Sequence, residues 1–496
     1  PAPLSNIQLA LFTMDALTGA GGRANRPVAL RLTGPLDRRA LEAALSALVE
    51  RHEPFRTIYP FVGAEPIQQV LPPFEVELPV VDLTALDLTA RRERLTEVMA
   101  DAATTAHDPT SEAQFDARLV VESEDTHVLV LALHHIGFDG WSESVLVADL
   151  TELYRAAVTG TDPVLPDLPI RVTDYARWER AAAKAADHER EAAYWRDRLA
   201  GLGHAPRLPS SPTASVEAYA PVSASFDADL MAAVHVLARQ EKTTPFVVLM
   251  TGLQLLGREL LDADDFVVSC PIAGRDRPEV QHLVGCFINT VLLRSSLGEA
   301  DTGIELLRAV RARVGEALAN RSVPNQTVTE SFGGWTRRPR LFRMSFQWRD
   351  FPSRAPAGPV DVDVEVVSVP SEVNGLAWYI TPLDGAAELE VKYNPSLFDP
   401  ADVAAWIDRL RAHVTALCAD PAAPIGPGRP RRPAVEPTTP LEADQIEPVT
   451  ANIARRARLA PDAPAIEGPD GDLDYATLWE RAGVVAAGLV DAGAGP

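Results

Sequence analysis

At 496 residues the chain is too long for one compact core and predicts two or three globular units. A charged fraction of 23% in an aliphatic-rich chain is that of a soluble globular protein, and a net charge of -23 argues against nucleic acid and anionic membranes as partners. Cys270, Cys286 and Cys418 are widely spaced and unpatterned, which suggests a reducing cytoplasm with no disulfide framework or zinc site, and no apolar run is long enough to span a bilayer.

Ser5 is placed to cap a first helix along which Gln8, Leu9, Phe12 and Leu17 are spread. A strand at 28–32 leads through Gly34-Pro35 into an amphipathic helix at 38–50. The polar run Arg51-His52-Glu53-Pro54-Phe55-Arg56-Thr57 follows and reads as a brace for the fold. Strands are predicted at 68–71, 75–81, 117–122 and 127–133, with a charged helix at 89–106. This alternation describes an α/β lobe. Helices from 172 to about 202 carry Tyr175 and Trp178, an aromatic spacing that reads as packing. A Pro- and Ser-rich stretch at 206–221 marks a boundary.

A second α/β lobe is predicted from helices at 228–240, 245–260, 305–320 and 401–419. Its strands fall at 266–271, around 342–348 and at 387–393. Between them lie Gly274-Arg275 and Gly285-Cys286-Phe287-Ile288-Asn289-Thr290, with Arg294 beyond. Gly285 and Asn289 suit a turn and a backbone hydrogen bond. Residues 420–448, dense in Pro and Ala with a basic knot at 429–432, read as an extended linker.

The stretch that carries chemistry is His134-His135-Ile136-Gly137-Phe138-Asp139-Gly140-Trp141-Ser142, between a buried strand and a helix. A metal reading is poor, because successive strand residues point to opposite faces and no Cys or Glu stands at ligand spacing. One bland alternative makes a histidine a core residue. The other divides the work: His134 packs inward, His135 faces a cleft, Asp139 orients the loop through an ion pair, and Gly140 lets the chain turn.

His-His-x-x-x-Asp-Gly-Trp-Ser resembles the signature of the condensation domains of nonribosomal peptide synthetases, within the chloramphenicol-acetyltransferase-like superfamily. Four further stretches are similar to segments of that family: Arg51 to Thr57, Val172 to Trp178, Gly285 to Thr290, and Tyr393-Asn394-Pro395-Ser396-Leu397-Phe398-Asp399. The opening Pro3-Leu4-Ser5 with Gln8 matches in part, since Ala10 stands where the family often has Arg. Residues 460–478 resemble the first residues of an adenylation domain, without those that bind ATP.

The resemblance implies two lobes, 1–180 and 181–420, forming a V-shaped pseudo-dimer with a central tunnel. A linker at 421–448 and a truncated adenylation start at 449–496 follow. It implies a monomeric acyltransferase that binds no cofactor itself. Upstream donor and downstream acceptor carrier proteins deliver thioesters on phosphopantetheine arms, and the acceptor amine attacks the donor thioester beside an adjacent adenylation domain. His135 is the expected proton acceptor or orienting group, with Asp139 and Gly140 beside it. Trp141, Ser142 and Asn289 line the tunnel, and His134 and Arg56 support the structure. Arg275 is the first choice of partner for Asp139, with Arg294 the alternative. Backbone N–H groups near Gly140 and Trp141 are the expected oxyanion donors. Ester formation, epimerisation and a non-catalytic recruitment role are the rivals; heterocyclisation is disfavoured by the intact histidine pair.

Overall fold

The computed structural model describes residues 1–18, 25–104, 108–182, 186–202, 208–209, 221–330, 342–349, 354–357, 360–365 and 375–426, then 454, 457–458, 461, 464–466 and 473–491. Most of the expected boundary at 206–221 and all of the linker from 427 to 448 lie outside these residues. The chain divides into two compact units, Pro1–Arg432 and Pro433–Pro496.

The first half of the larger unit runs β1 (Ala2–Pro3), α1 (Asn6–Thr18), β2 (Val28–Thr33), α2 (Arg38–Arg51), β3 (Thr57–Ile58), β4 (Phe61–Val62), β5 (Glu65–Val70) and β6 (Val80–Asp82). It continues through α3 (Leu88–Thr104), β7 (Phe115–Ser123), β8 (Thr126–Leu133), α4 (Gly140–Thr159), α5 (Val172–Ala182) and α6 (Ala186–Leu199). Asp37 caps α2 by accepting from Ala40 N–H at 3.1 Å, and left-handed Gly160 ends α4. The strand expected at 75–81 shrinks to β6. Pro72, Pro73 and Pro79 lack the N–H that a ladder needs.

The second half runs β9 (Val222–Phe226), α7 (Ala228–Gln240), α8 (Pro245–Leu261), β10 (Val267–Ile272), β11 (Asn289–Arg294), α9 (Gly303–Ala319), α10 (Asn325–Glu330) and β12 (Met344–Trp348). It ends with β13 (Arg354–Ala357), β14 (Val360–Glu365), β15 (Leu376–Leu383), β16 (Ala386–Tyr393) and α11 (Pro400–Ala419). A capping box between Thr302 and Glu305 starts α9. Asp384 and Gly385, both with positive φ, close the hairpin of β15 and β16, the turn chemistry that a two-residue loop requires.

Two six-stranded sheets organise the unit: β13-β14-β2-β8-β7-β6 and β11-β10-β12-β15-β16-β9. In the first, α2 and α4 bury one face around Leu30, Leu129 and Leu131, while Leu95 and Val98 of α3 cover Val120, Val128 and Val130 on the other. The second packs Trp378, Ile380, Leu389 and Val391 against α7, α8 and α11. β13 and β14, from the stretch that sequence placed in the second lobe, complete the first sheet, with Val362 opposite Leu32 of β2. The halves are therefore interlaced.

The smaller unit holds β17 (Pro464–Ile466), β18 (Leu473–Asp474) and α12 (Tyr475–Asp491), with Asp474 accepting from Thr477 N–H at 2.7 Å. Among the described residues no helix is long and apolar enough to cross a membrane, and no cluster of His, Cys, Asp and Glu could hold a metal ion.

Candidate active site

β8 ends at Leu133, and His134 extends it by one bridge to Asn25. Alternation along a strand then sends His134 and His135 to different surroundings. His134 is buried, accepts from Ile136 N–H at Nδ1 (3.1 Å) and presents Nε2 to Asp15 at 2.8 Å. His135 has the opposite tautomer. Its Nδ1 lies 2.7 Å from the Phe138 carbonyl, which can only accept, so Nδ1 carries the proton and Nε2 the lone pair. Burial and then the charge of Arg26 pull the His135 pKa down to about 4, against the Phe138 carbonyl and Asp139. The ring is therefore a neutral base at pH 7.

Asp139 caps α4 and is fully buried. Its Oδ1 accepts from Ser142 N–H at 2.8 Å and Arg275 Nη2 at 3.0 Å, and its Oδ2 accepts from Phe287 N–H at 3.0 Å. Arg275 also donates through Nη1 to the carbonyls of Val280 and Leu283, both at 2.6 Å, and stacks 4.4 Å over the Phe287 ring. One buried ion pair thus joins the loop after β8 to the loop after β10. Of the two arginines considered, Arg275 is the partner; Arg294 forms a two-pronged pair with Asp265 at 2.6 and 2.7 Å. Gly274 delivers Arg275 in a left-handed conformation, where a Cβ would collide with the Phe287 carbonyl.

Three expectations are corrected. Ser142 does not line a tunnel: it is fully buried, with Oγ 2.8 Å from both Asp139 Oδ1 and the Gly285 carbonyl and accepting from Gly285 N–H. Asp139, grouped with the catalytic residues, spends both oxygens on the fold and is a positioning residue. Gly140 is the first residue of α4 and has no positive φ; the glycine that needs one is Gly274.

Trp141 reaches across to donate to the Gln281 carbonyl at 2.9 Å. Asn289 donates to the carbonyls of Arg321 and Val323 at 2.8 Å and accepts from Asn325 N–H at 2.9 Å. It fastens residues 321–325 to β11 at the edge of a cavity of about 370 Å³. Tyr175, Trp178, Glu179, Phe287 and Asn325 also line that cavity; His135 does not. Arg56 donates to the carbonyls of Val49, Glu50 and Leu71, closing the end of α2.

Sequence reasoning missed Asp15, Arg26 and Cys286. Cys286 Sγ lies 3.9 Å from His135 Nδ1, and burial raises its pKa, so it stands beside the imidazole as a neutral thiol. Its place in the Gly285-to-Thr290 run was the one available signal.

A family model described as "Condensation domain" matches residues 1–427. The probable non-canonical nonribosomal peptide synthetase CymA of Salinispora arenicola is 33% identical over 519 residues, covering 100% of this chain and 6% of its own length. The chain therefore spans a small part of that curated relative. The X-domain from teicoplanin biosynthesis superposes with a TM-score of 0.75 at 25% identity, over 85% of this chain and 96% of its own. The first condensation domain of the CDA synthetase does so with a TM-score of 0.71 at 18% identity, over 86% and 98%, a likeness of fold.

Proposed function

The chain belongs to the condensation-domain family of nonribosomal peptide synthetases, acyltransferases that form amide bonds, and from that premise we propose that it joins a carrier-bound donor acyl group to a carrier-bound aminoacyl group at His135. The observation that carries this reading is the state of that ring. Its Nδ1–H is committed to the Phe138 carbonyl, so a neutral Nε2 is left to accept a proton from, or orient, the attacking amine. Nitrogen attacks the thioester carbonyl, the thiolate leaves on the donor arm, and the amine proton passes to His135 and on to that thiolate.

The Asp139–Arg275 pair holds the loop still while this happens. Holding amine and carbonyl together supplies much of the rate, with effective molarities of roughly 10⁵ M or more available. Backbone N–H groups near Gly140 and Trp141, at the start of α4, are suited to the developing oxyanion. Phosphopantetheine belongs in this scheme to the carriers. The tail from 449 resembles the start of an adenylation domain, a reading supported by its sequence pattern.

Likeness to the teicoplanin X-domain, solved elsewhere in complex with OxyB, supports one rival: recruitment of a partner without chemistry. The test is mass spectrometry of this chain incubated with a donor-loaded and an acceptor-loaded carrier. Dipeptidyl carrier that depends on His135 supports condensation. An ester, an epimerised donor or no product supports the corresponding rival.

A further inference from the structure

The second sheet turns a charged face away from its helices. Trp378, Ile380, Leu389 and Val391 point into the helical core, so Tyr379, Glu390 and Lys392 project from the opposite face. Arg349, just past β12, lays its guanidinium 3.7 Å over the Tyr379 ring. Arg349 Nη1 and Lys392 Nζ stand 3.6 and 3.7 Å from Glu390 Oε1, too far for hydrogen bonds. That oxygen is buried without a hydrogen-bond partner, on a residue only 7% exposed.

The first lobe completes the group. Glu143, one turn into α4 from Asp139, lies within electrostatic reach of Arg26, Arg349 and Lys392. Lys392 is likewise within reach of Arg26. Arg26 also acts on His135, and its backbone N–H bonds the Leu133 carbonyl at the end of β8, so the cluster adjoins the reacting centre.

Three cations therefore face two carboxylates, and burial favours the uncharged form of Glu143 despite those cations. Within the group, Arg349 and Lys392 reach Glu390 Oε1 only as long ion pairs. Glu390 is buried, Glu143, Arg349 and Lys392 are partly buried and Arg26 is exposed; the excess of positive charge on this face would be compensated by an anion from outside the chain.

We propose that Arg26, Glu143, Arg349, Glu390 and Lys392 form a side-chain pocket beside His135 that selects a substrate bearing a carboxylate. The inference deepens the condensation reading and depends on it. A substrate carboxylate would take two parallel N–H donors from Arg349 and a third from Arg26, leaving Lys392 to close on the orphaned oxygen of Glu390. The anion belongs to the acyl or aminoacyl group, because the phosphate of a pantetheine arm lies at the far end from the thioester that reaches His135.

The experiment uses the whole chain with carriers loaded with aspartyl, asparaginyl or leucyl thioesters, each offered in turn as donor and as acceptor. On one of the two sides the aspartyl carrier should react about tenfold or more faster than the asparaginyl carrier. Arg349→Met and Lys392→Met should each shrink that ratio, and Glu143→Gln, which removes a competing carboxylate from another element, should enlarge it. Product formed with equal aspartyl and asparaginyl rates on both sides overturns the pocket while sparing the condensation reading. A ratio unmoved by all three variants overturns it as well. No product from any pair, leucyl included, removes both.

Discussion

The two histidines differ in what their nitrogens already hold. His135→Ala removes the lone pair that faces the reaction, and should lower condensation by about 10²–10⁴-fold with little change in melting temperature. His134→Ala strands Asp15 and the Ile136 N–H, a stability loss of about 1–3 kcal/mol that thermal unfolding would register. The pH dependence follows from the same ring. His135 protonates at 6.5 when unfolded and at about 4 when folded, so between those values the unfolded chain binds more protons and stability rises with pH. Burial and Arg26 set that gap, against the Phe138 carbonyl and Asp139. Condensation rates should stay level from neutral pH to below 6 and fall only toward 4. A midpoint near 6.5 would mean a solvated ring and a different base.

Between elements, the pair of Asp139 and Arg275 decides how the loop after β8 meets the loop after β10. Removing either side alone strands a buried charge and should cost about 3–5 kcal/mol, while the double variant should lose less than the sum. Strict additivity in chemical denaturation would show that the two act independently. Gly274→Ala should cost about 1–3 kcal/mol from its left-handed backbone alone, with collision against Phe287 adding to it. Because that loop carries Arg275, activity should fall with stability in this variant. Val362→Asp would place a charge where β14 packs on the first lobe's core, and thermal unfolding should show the whole larger unit destabilised.

At the scale of the molecule, the larger compact unit contains every residue assigned a role, and the smaller unit contains none. A chain ending at Arg432 should therefore condense loaded carriers at the rate of the full chain. A well-folded truncation with lost turnover would assign the tail a part in presenting the acceptor. The interlacing of β13 and β14 into the first sheet predicts one cooperative unfolding transition for the larger unit, which calorimetry would resolve from two.

Much of this was legible in the residues themselves. The apolar run of β8 and the His134-to-Ser142 stretch after it are local patterns, and they located the histidines and divided the work between them. The resemblance added Arg275 as the first choice of partner for Asp139. Tertiary structure alone decided the rest. Asp15, Arg26 and Cys286 meet the histidines from distant segments, and β14 returns to β2 across most of the chain. Such long-range pairings leave no periodic trace. The resemblance placed Ser142 on a tunnel; the burial of the Asp139–Arg275 pair puts it in the wall. The charged face of the second sheet was equally hidden, because alternation shows that Glu390 and Lys392 share a face but not that Arg26 and Glu143 stand opposite.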